Sequence, residues 1–179
     1  VLYAQGLAEM EKMSKSGAPD ELILAKANEL RSKGYKFTPA SLAGYLDTGK
    51  KISESQMKLS ANVQLWQGGI KDGYNLATNP NIPAEEKQRV LSWGEDSIIA
   101  AAQKVPEEQR QDWLTSNLVQ FSQQQGLPIK SIGTAIGSIA NLDARQPITP
   151  STLNWVKMIM ATDDQTLKMN AGSDKDFAF

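Results

Sequence analysis

Apolar residues recur every three or four positions along most of the chain, the period of an amphipathic helix. Leu2, Ala4, Leu7, Ala8 and Met10 predict a first helix running to about Ser16, with Glu9, Glu11 and Lys12 toward solvent and Gly17 as its stop. Pro19 opens a second helix with Asp20 and Glu21 in its first turn, where acids suit the positive end of the dipole. Leu22, Ile23, Ala27 and Leu30 form its stripe and Gly34 ends it. Thr38-Pro39 caps a short helix through Leu42 and Tyr45 that is expected to end before Gly49. Ser53 with Gln56 matches a capping box and predicts a fresh start. The helix after it carries Leu59, Val63, Trp66, Ile70 and Tyr74 on one face, with Gly68-Gly69 expected to kink it or end it early. Residues 78–83, Thr-Asn-Pro-Asn-Ile-Pro, read as a loop.

The second half repeats the logic. Pro83 starts a helix with Glu85 and Glu86 first and Val90, Leu91, Ile98 and Ala102 along it, to about Lys104. Pro106 starts the next, with Glu107 and Glu108, a stripe of Leu114, Leu118 and Phe121, and Gly126 as stop. Pro128 opens a helix bearing Ile129, Ile132, Ile136 and Ile139. Residues 143–148 read as a linker to Thr149-Pro150, which caps a last helix with Leu153, Val156 and Ile159. Strand-like alternation is absent, so the expected fold class is all-α: a compact bundle of about eight helices, one or two of them short, with loops punctuated by Gly and Pro. Residues 1–162 are expected to form a single domain, a segment of a larger polypeptide because Val1–Gln5 resembles neither a signal peptide nor a translation start. Residues 163–179 are expected to be an extended or docked tail, with Phe177 and Phe179 favouring a docked one. Leu59, Val63, Trp66, Ile70, Leu91, Ile98, Leu114, Leu118, Phe121, Ile132, Ile136, Ile139, Val156 and Ile159 are the expected core.

Composition narrows the chemistry. The 179 residues include no His and no Cys. A Ser-His-Asp arrangement, a thiolate nucleophile, a disulfide and a thiolate zinc site therefore cannot form within this chain. Paired carboxylates and a desolvated Lys are the catalytic groups that remain. A formal net charge of -1 and a pI near 5.6 lack the basic stripe of a duplex binder, and Lys50-Lys51 beside Gly49 reads as a solvated loop. No stretch approaches the roughly 20 apolar residues that span a bilayer.

Several local features admit both a functional and a simpler structural reading. Gly133-Thr134-Ala135-Ile136-Gly137 is a GxxxG element; in so short an apolar run it predicts a tightly packed helix pair, and it lacks the Gly-Lys-Ser/Thr end of a phosphate loop. Trp66, Trp93, Trp113 and Trp155 fall on four predicted helices and read as core or interface packing before an aromatic platform for sugars or bases. Among Glu85, Glu86, Glu95, Asp96, Glu107, Glu108 and Asp112, only Glu95 sits mid-helix beside an aromatic, Trp93-Gly94, as a catalytic acid in an apolar pocket would. Asp174-Lys175-Asp176 lacks the Gly and the distant Glu of a calcium loop. Gln120, Gln123, Gln124 and Gln125 make a polar helix end, either a contact surface or a solvated last turn.

The expected function is a non-enzymatic helical structural or interaction module within a larger protein or assembly. Protein partners or self-association are expected, with no strong nucleic-acid signal. The chain is helical, contains Gln and Ala, and lacks Cys. In that composition, though in no motif, it resembles internal or ejected virion proteins and some secreted effectors. The alternatives are a carboxylate-based polysaccharide hydrolase of helical lysozyme-like type and a weak nucleic-acid or membrane-surface binder. A buried, unpaired Glu lining a cleft near a second carboxylate would favour the hydrolase. No residue is singled out as catalytic, cofactor-binding or metal-ligating, and no cofactor is implied.

Overall fold

The computed structural model describes residues 2–143 and 145–172. Among them the chain forms eight helices and no strand, so the fold class is all-α. The helices are α1 (Leu2–Lys15), α2 (Asp20–Ser32), α3 (Pro39–Lys71), α4 (Ala84–Ala102), α5 (Glu107–Gln125), α6 (Lys130–Ala140), α7 (Pro150–Ala161) and α8 (Asp164–Ala171). Where the sequence suggests one domain over 1–162, contacts gather into two compact units, 1–61 and 62–179. Their boundary falls inside α3, in a run (Lys58-Leu59-Ser60-Ala61-Asn62-Val63) with no Gly or Pro to mark it.

The first unit is built around Met10 of α1 and Ile23, Ala27 and Leu30 of α2, all buried. Met13, Ala18, Tyr35, Phe37, Leu42, Tyr45 and Leu46 pack against them. Gly17 and Gly34 end α1 and α2 as predicted, at φ 71° and 91°. In both turns the next residue's amide reaches back to close a Schellman motif: Ala18 N–H to Met13 O at 3.1 Å and Tyr35 N–H to Leu30 O at 3.0 Å.

The short helix expected to end before Gly49 and the fresh start at Ser53 are corrected: α3 runs unbroken from Pro39 to Lys71. Thr38 caps it as expected, accepting from Ser41 N at 3.1 Å. Gly49 is a helical residue chosen for space. A Cβ there would lie 2.9 Å from Ile23 Cδ1 and 3.2 Å from Ala18 O. The glycine that reads as a stop lets α3 close on the α1–α2 turn, where Ser14 Oγ also donates to Tyr45 O at 2.7 Å.

Gly68-Gly69 does not end α3 either. A Cβ on Gly69 would fall 2.0 Å from Nδ2 of Asn79, whereas one on Gly68 would meet open space. Asn79 is fully buried. Its Nδ2 donates to Leu65 O at 3.3 Å and its Oδ1 accepts from Asn81 N at 2.9 Å. The loop over 78–83 therefore lies on Gly69, and the buried face of α3 runs through Asn62, Val63, Trp66 and Gly69. Ile70, expected in the core, is 47% exposed.

In the second unit, α6 packs on α7 and α8, α4 on α5, and α5 on α7. Leu91, Leu118, Phe121, Ile132 and Ile136 are buried as predicted, while Ile98, Leu114, Ile139 and Ile159, and Leu59 of the first unit, are half-buried. Trp66 meets Phe121 and Trp93 edge-on, with ring centroids 6.1 and 6.3 Å apart. Its indole N–H donates to Gln125 Oε1 at 2.8 Å, and that oxygen also accepts from Leu76 N at 3.2 Å. Gln125, read as part of a solvated or partner-facing helix end, is thus a core residue that satisfies a buried indole and a loop amide.

The described part of the expected tail, 163–172, is a helical turn system and not extended chain. Asp163 caps α8 by accepting from Thr166 N at 2.9 Å, and Thr166 and Leu167 are buried. The Phe177, Phe179 and Asp174-Lys175-Asp176 readings lie outside the described residues.

Candidate functional site

Two surfaces of α7 carry unusual chemistry, on opposite sides of the helix. The inward side holds Thr152 and Met158, both buried, with Trp155 and Ile159 half-buried. The outward side holds Leu153, Val156 and Met160, spaced i, i+3 and i+7, which are 53%, 36% and 81% exposed. Ile148, just before the helix, is 73% exposed. Val156, expected in the core, is therefore corrected to the surface. The reason is that α7, Pro150-Ser-Thr-Leu-Asn-Trp-Val-Lys-Met-Ile-Met-Ala161, is apolar around most of its circumference, so periodicity cannot choose a face.

The start of α7 is fixed locally. Thr149 accepts from Thr152 N at 3.2 Å and Thr152 Oγ1 accepts in return from Thr149 N at 3.4 Å, a reciprocal cap ahead of Pro150. Across from it, Lys157 Nζ lies 3.3 Å from Asp112 Oδ1 of α5, both well exposed.

On the inward side, α4, α5, α6 and α7 border an open cleft of about 580 Å³. Ile99, Leu114, Leu118 and Met158 supply its apolar wall, and Glu95, Asp96, Lys130 and a set of hydroxyl and amide side chains supply the rest. A second hollow of about 510 Å³, lined by Ser138, Leu142, Gln146 and Pro147 among others, shares Trp155 with the first.

Glu95, the carboxylate singled out by sequence, lies in this cleft and is 5% exposed. Its Oε2 accepts from Lys130 N at 3.1 Å and its Oε1 accepts from Ser131 N at 2.7 Å and from Ser131 Oγ. Those amides are orphan donors of the first turn of α6, whose N-cap residue, Ile129, offers no side-chain cap of its own. Asn170 of α8 accepts from the adjacent Ile129 N at 2.8 Å. A carboxylate from α4 and an amide from α8 thus cap α6 from outside its own sequence. Glu95 is buried and lines a cleft with Asp96, but it is not unpaired, since both oxygens are engaged as acceptors.

The other sequence candidates scatter. Glu86 is buried at the start of α4, with Asn62 Nδ2 at 3.3 Å and Arg89 Nη1 at 3.2 Å on its Oε2. Glu85, Glu107, Glu108 and Asp112 are exposed. Among the tryptophans, Trp66 is core, Trp113 and Trp155 are half-buried, and Trp93 is 39% exposed. The GxxxG glycines do not make a tight pair: a Cβ on Gly133 would sit 3.9 Å from Asn170 O, an ordinary contact, and one on Gly137 would meet nothing within 4 Å. Among the described residues no group of three or more acidic side chains could hold a metal ion, and no helix is long and apolar enough to cross a membrane.

Periodicity did not mark Gln125, Asn79, Asn170 or Asp163, each of which holds a backbone amide of a turn or helix start. Only Asp163, three residues before Thr166, carries a local signal, that of an N-cap. No protein-family model matches this chain, and neither a curated protein nor a solved structure significantly similar to it was found.

Proposed function

We propose that the chain is a non-enzymatic helical interaction module whose α7 is sandwiched, with its inner face on its own unit and its outer face on an apolar helix of a protein partner. The observation that carries this is the double-sided character of α7. A helix apolar on all sides is ordinarily buried on all sides, yet Leu153, Val156 and Met160 face solvent here. Contiguous apolar surface of this kind on a polar chain marks a contact site. The partner is a second copy or another chain of the same assembly. A place inside a larger structure, such as that of a virion-internal or secreted helical protein, agrees with the composition.

Light scattering behind size exclusion over a range of concentrations tests the self-association form, with Leu153→Asp/Met160→Asp as the comparison. The wild type is expected to form a defined oligomer and the double variant a monomer with an unchanged circular dichroism spectrum. A wild type that stays monomeric at every concentration, and matches the double variant in solubility, would refute self-association through this face.

A further inference from the structure

We propose that the cleft between α4, α5, α6 and α7 is a carbohydrate-binding site that seats neutral or N-acetylated sugar units against Trp155. This goes beyond the docking role of the outer face of α7 and stands independently of it, because the two surfaces lie on opposite sides of the helix.

The cleft, about 580 Å³, is of the size that holds a small ligand. It is an open groove, with Ser92, Asp96, Thr134 and Ser151 exposed along it. Ser92, Gln111, Thr134, Ser151 and Asn154 present hydroxyls and amides, groups that both donate and accept. A sugar ring makes the same demand, with hydroxyls around its edge and C–H groups on its faces. The C–H faces have their counterpart in Trp155 and in the wall of Leu114 and Met158, where an N-acetyl methyl also fits chemically.

Trp155, unlike the core Trp66, keeps its indole N–H available to a ligand, as Trp93 and Trp113 do, but it alone of these lines the cleft. The indole N–H of Trp66 is consumed by Gln125 at 2.8 Å. Trp155 is half-buried, and its indole N–H makes no hydrogen bond to a described residue. Half-buried Asn154, beside it, likewise has no described partner for its side chain. Every buried side-chain N and O among the described residues is satisfied, so the unbonded Trp155 N–H and Asn154 amide are groups open to solvent.

Charge also favours a neutral ligand. Asp96 and Lys130 both line the cleft and oppose each other in sign, so neither a phosphate nor a polycation is selected. Glu95 is occupied in capping α6, which leaves the cleft with binding groups and no free buried acid. The adjoining hollow of about 510 Å³ shares Trp155, so a second sugar unit has room past the indole. A trisaccharide is therefore expected to bind more tightly than a monosaccharide.

The test is a titration of the full chain followed by its four tryptophan indole N–H resonances, with Trp155 assigned through Trp155→Phe. The probes are N-acetylglucosamine, chitotriose and maltotriose. The Trp155 signal is expected to move saturably with a trisaccharide while that of Trp66 stays in place. Asp96→Ala/Asn154→Ala, which alters only exposed or half-buried positions, should weaken binding at least about tenfold, as the loss of two hydrogen bonds does. A Trp155 signal that is unmoved by every sugar up to tens of millimolar, or that moves equally in the double variant, would overturn the proposal. So would a saturable response to N-acetylphenylalaninamide with none to the sugars, which would assign the cleft to an apolar side chain of a protein partner.

Discussion

Gly68 and Gly69 are neighbours in one turn of α3, and a methyl group added to each meets opposite surroundings. At Gly68 nothing lies within 4 Å, so Gly68→Ala is expected to stabilise by about 0.5–1 kcal/mol through helix propensity. At Gly69 the new carbon would overlap Asn79, which is held on two sides, so Gly69→Ala should destabilise by about 1–3 kcal/mol. Urea titrations of both variants check the sign reversal. Trp66→Ala removes an edge-on aromatic cluster and leaves Gln125 Oε1 with the Leu76 amide alone, and should cost about 3–5 kcal/mol. The periodic pattern marked Trp66 as core. It could not mark Asn79 or Gln125, because a buried amide looks in sequence like any solvated one until its partners are placed.

At the scale of the element, helix ends divide into those capped by their own sequence and those capped from elsewhere. Thr38, Thr149 and Asp163 cap locally. The Asp163 carboxyl is pulled down from its ordinary 3.8 to about 2, first by the Thr166 backbone amide, then by the Thr166 hydroxyl and the Gln123 amide. A depressed carboxylate contributes stability above its ordinary value and loses it as pH falls through the folded one. Protection of the Thr166 amide from exchange is therefore expected to hold at pH 5 and fall away as pH drops from about 4 to about 2, and Asp163→Asn should flatten that dependence. The start of α6 has no such signal, since Pro128 and Ile129 precede it and its cap is Glu95, 35 and 36 residues away. Glu95→Ala should cost about 1–3 kcal/mol by leaving two first-turn amides without a partner, and chemical denaturation measures it. The same distance explains why a mid-helix Glu beside Trp93 resembled a catalytic acid: the sequence shows the residue and its neighbour but not the helix end it serves.

For the whole molecule, the two units differ in how much apolar surface each encloses. The first rests on Met10, Ile23, Ala27 and Leu30, while the second adds buried residues from α3, α4, α5, α6, α7 and α8. Native-state hydrogen exchange should therefore show weaker protection in α1 and α2 than in α5 and α6. Met10→Ala is expected to lower protection in the first unit and leave α5 and α6 unchanged. Equal loss across both units would mean that they unfold as one.

The all-α class, the stops at Gly17, Gly34 and Gly126, and the buried Leu118 and Phe121 of α5 follow from the sequence alone, because 3.6-residue periodicity and backbone stereochemistry are local properties. The tertiary structure decided what depends on a distant neighbour. It determined whether Gly49 ends a helix or admits Ile23, and which of the apolar positions of α7 are buried. It also set Glu95 on the first turn of α6, and gathered Trp155, Asp96 and Asn154 around a common cleft. Each of these is a matter of two segments meeting, and a sequence records spacing along the chain but not proximity across it.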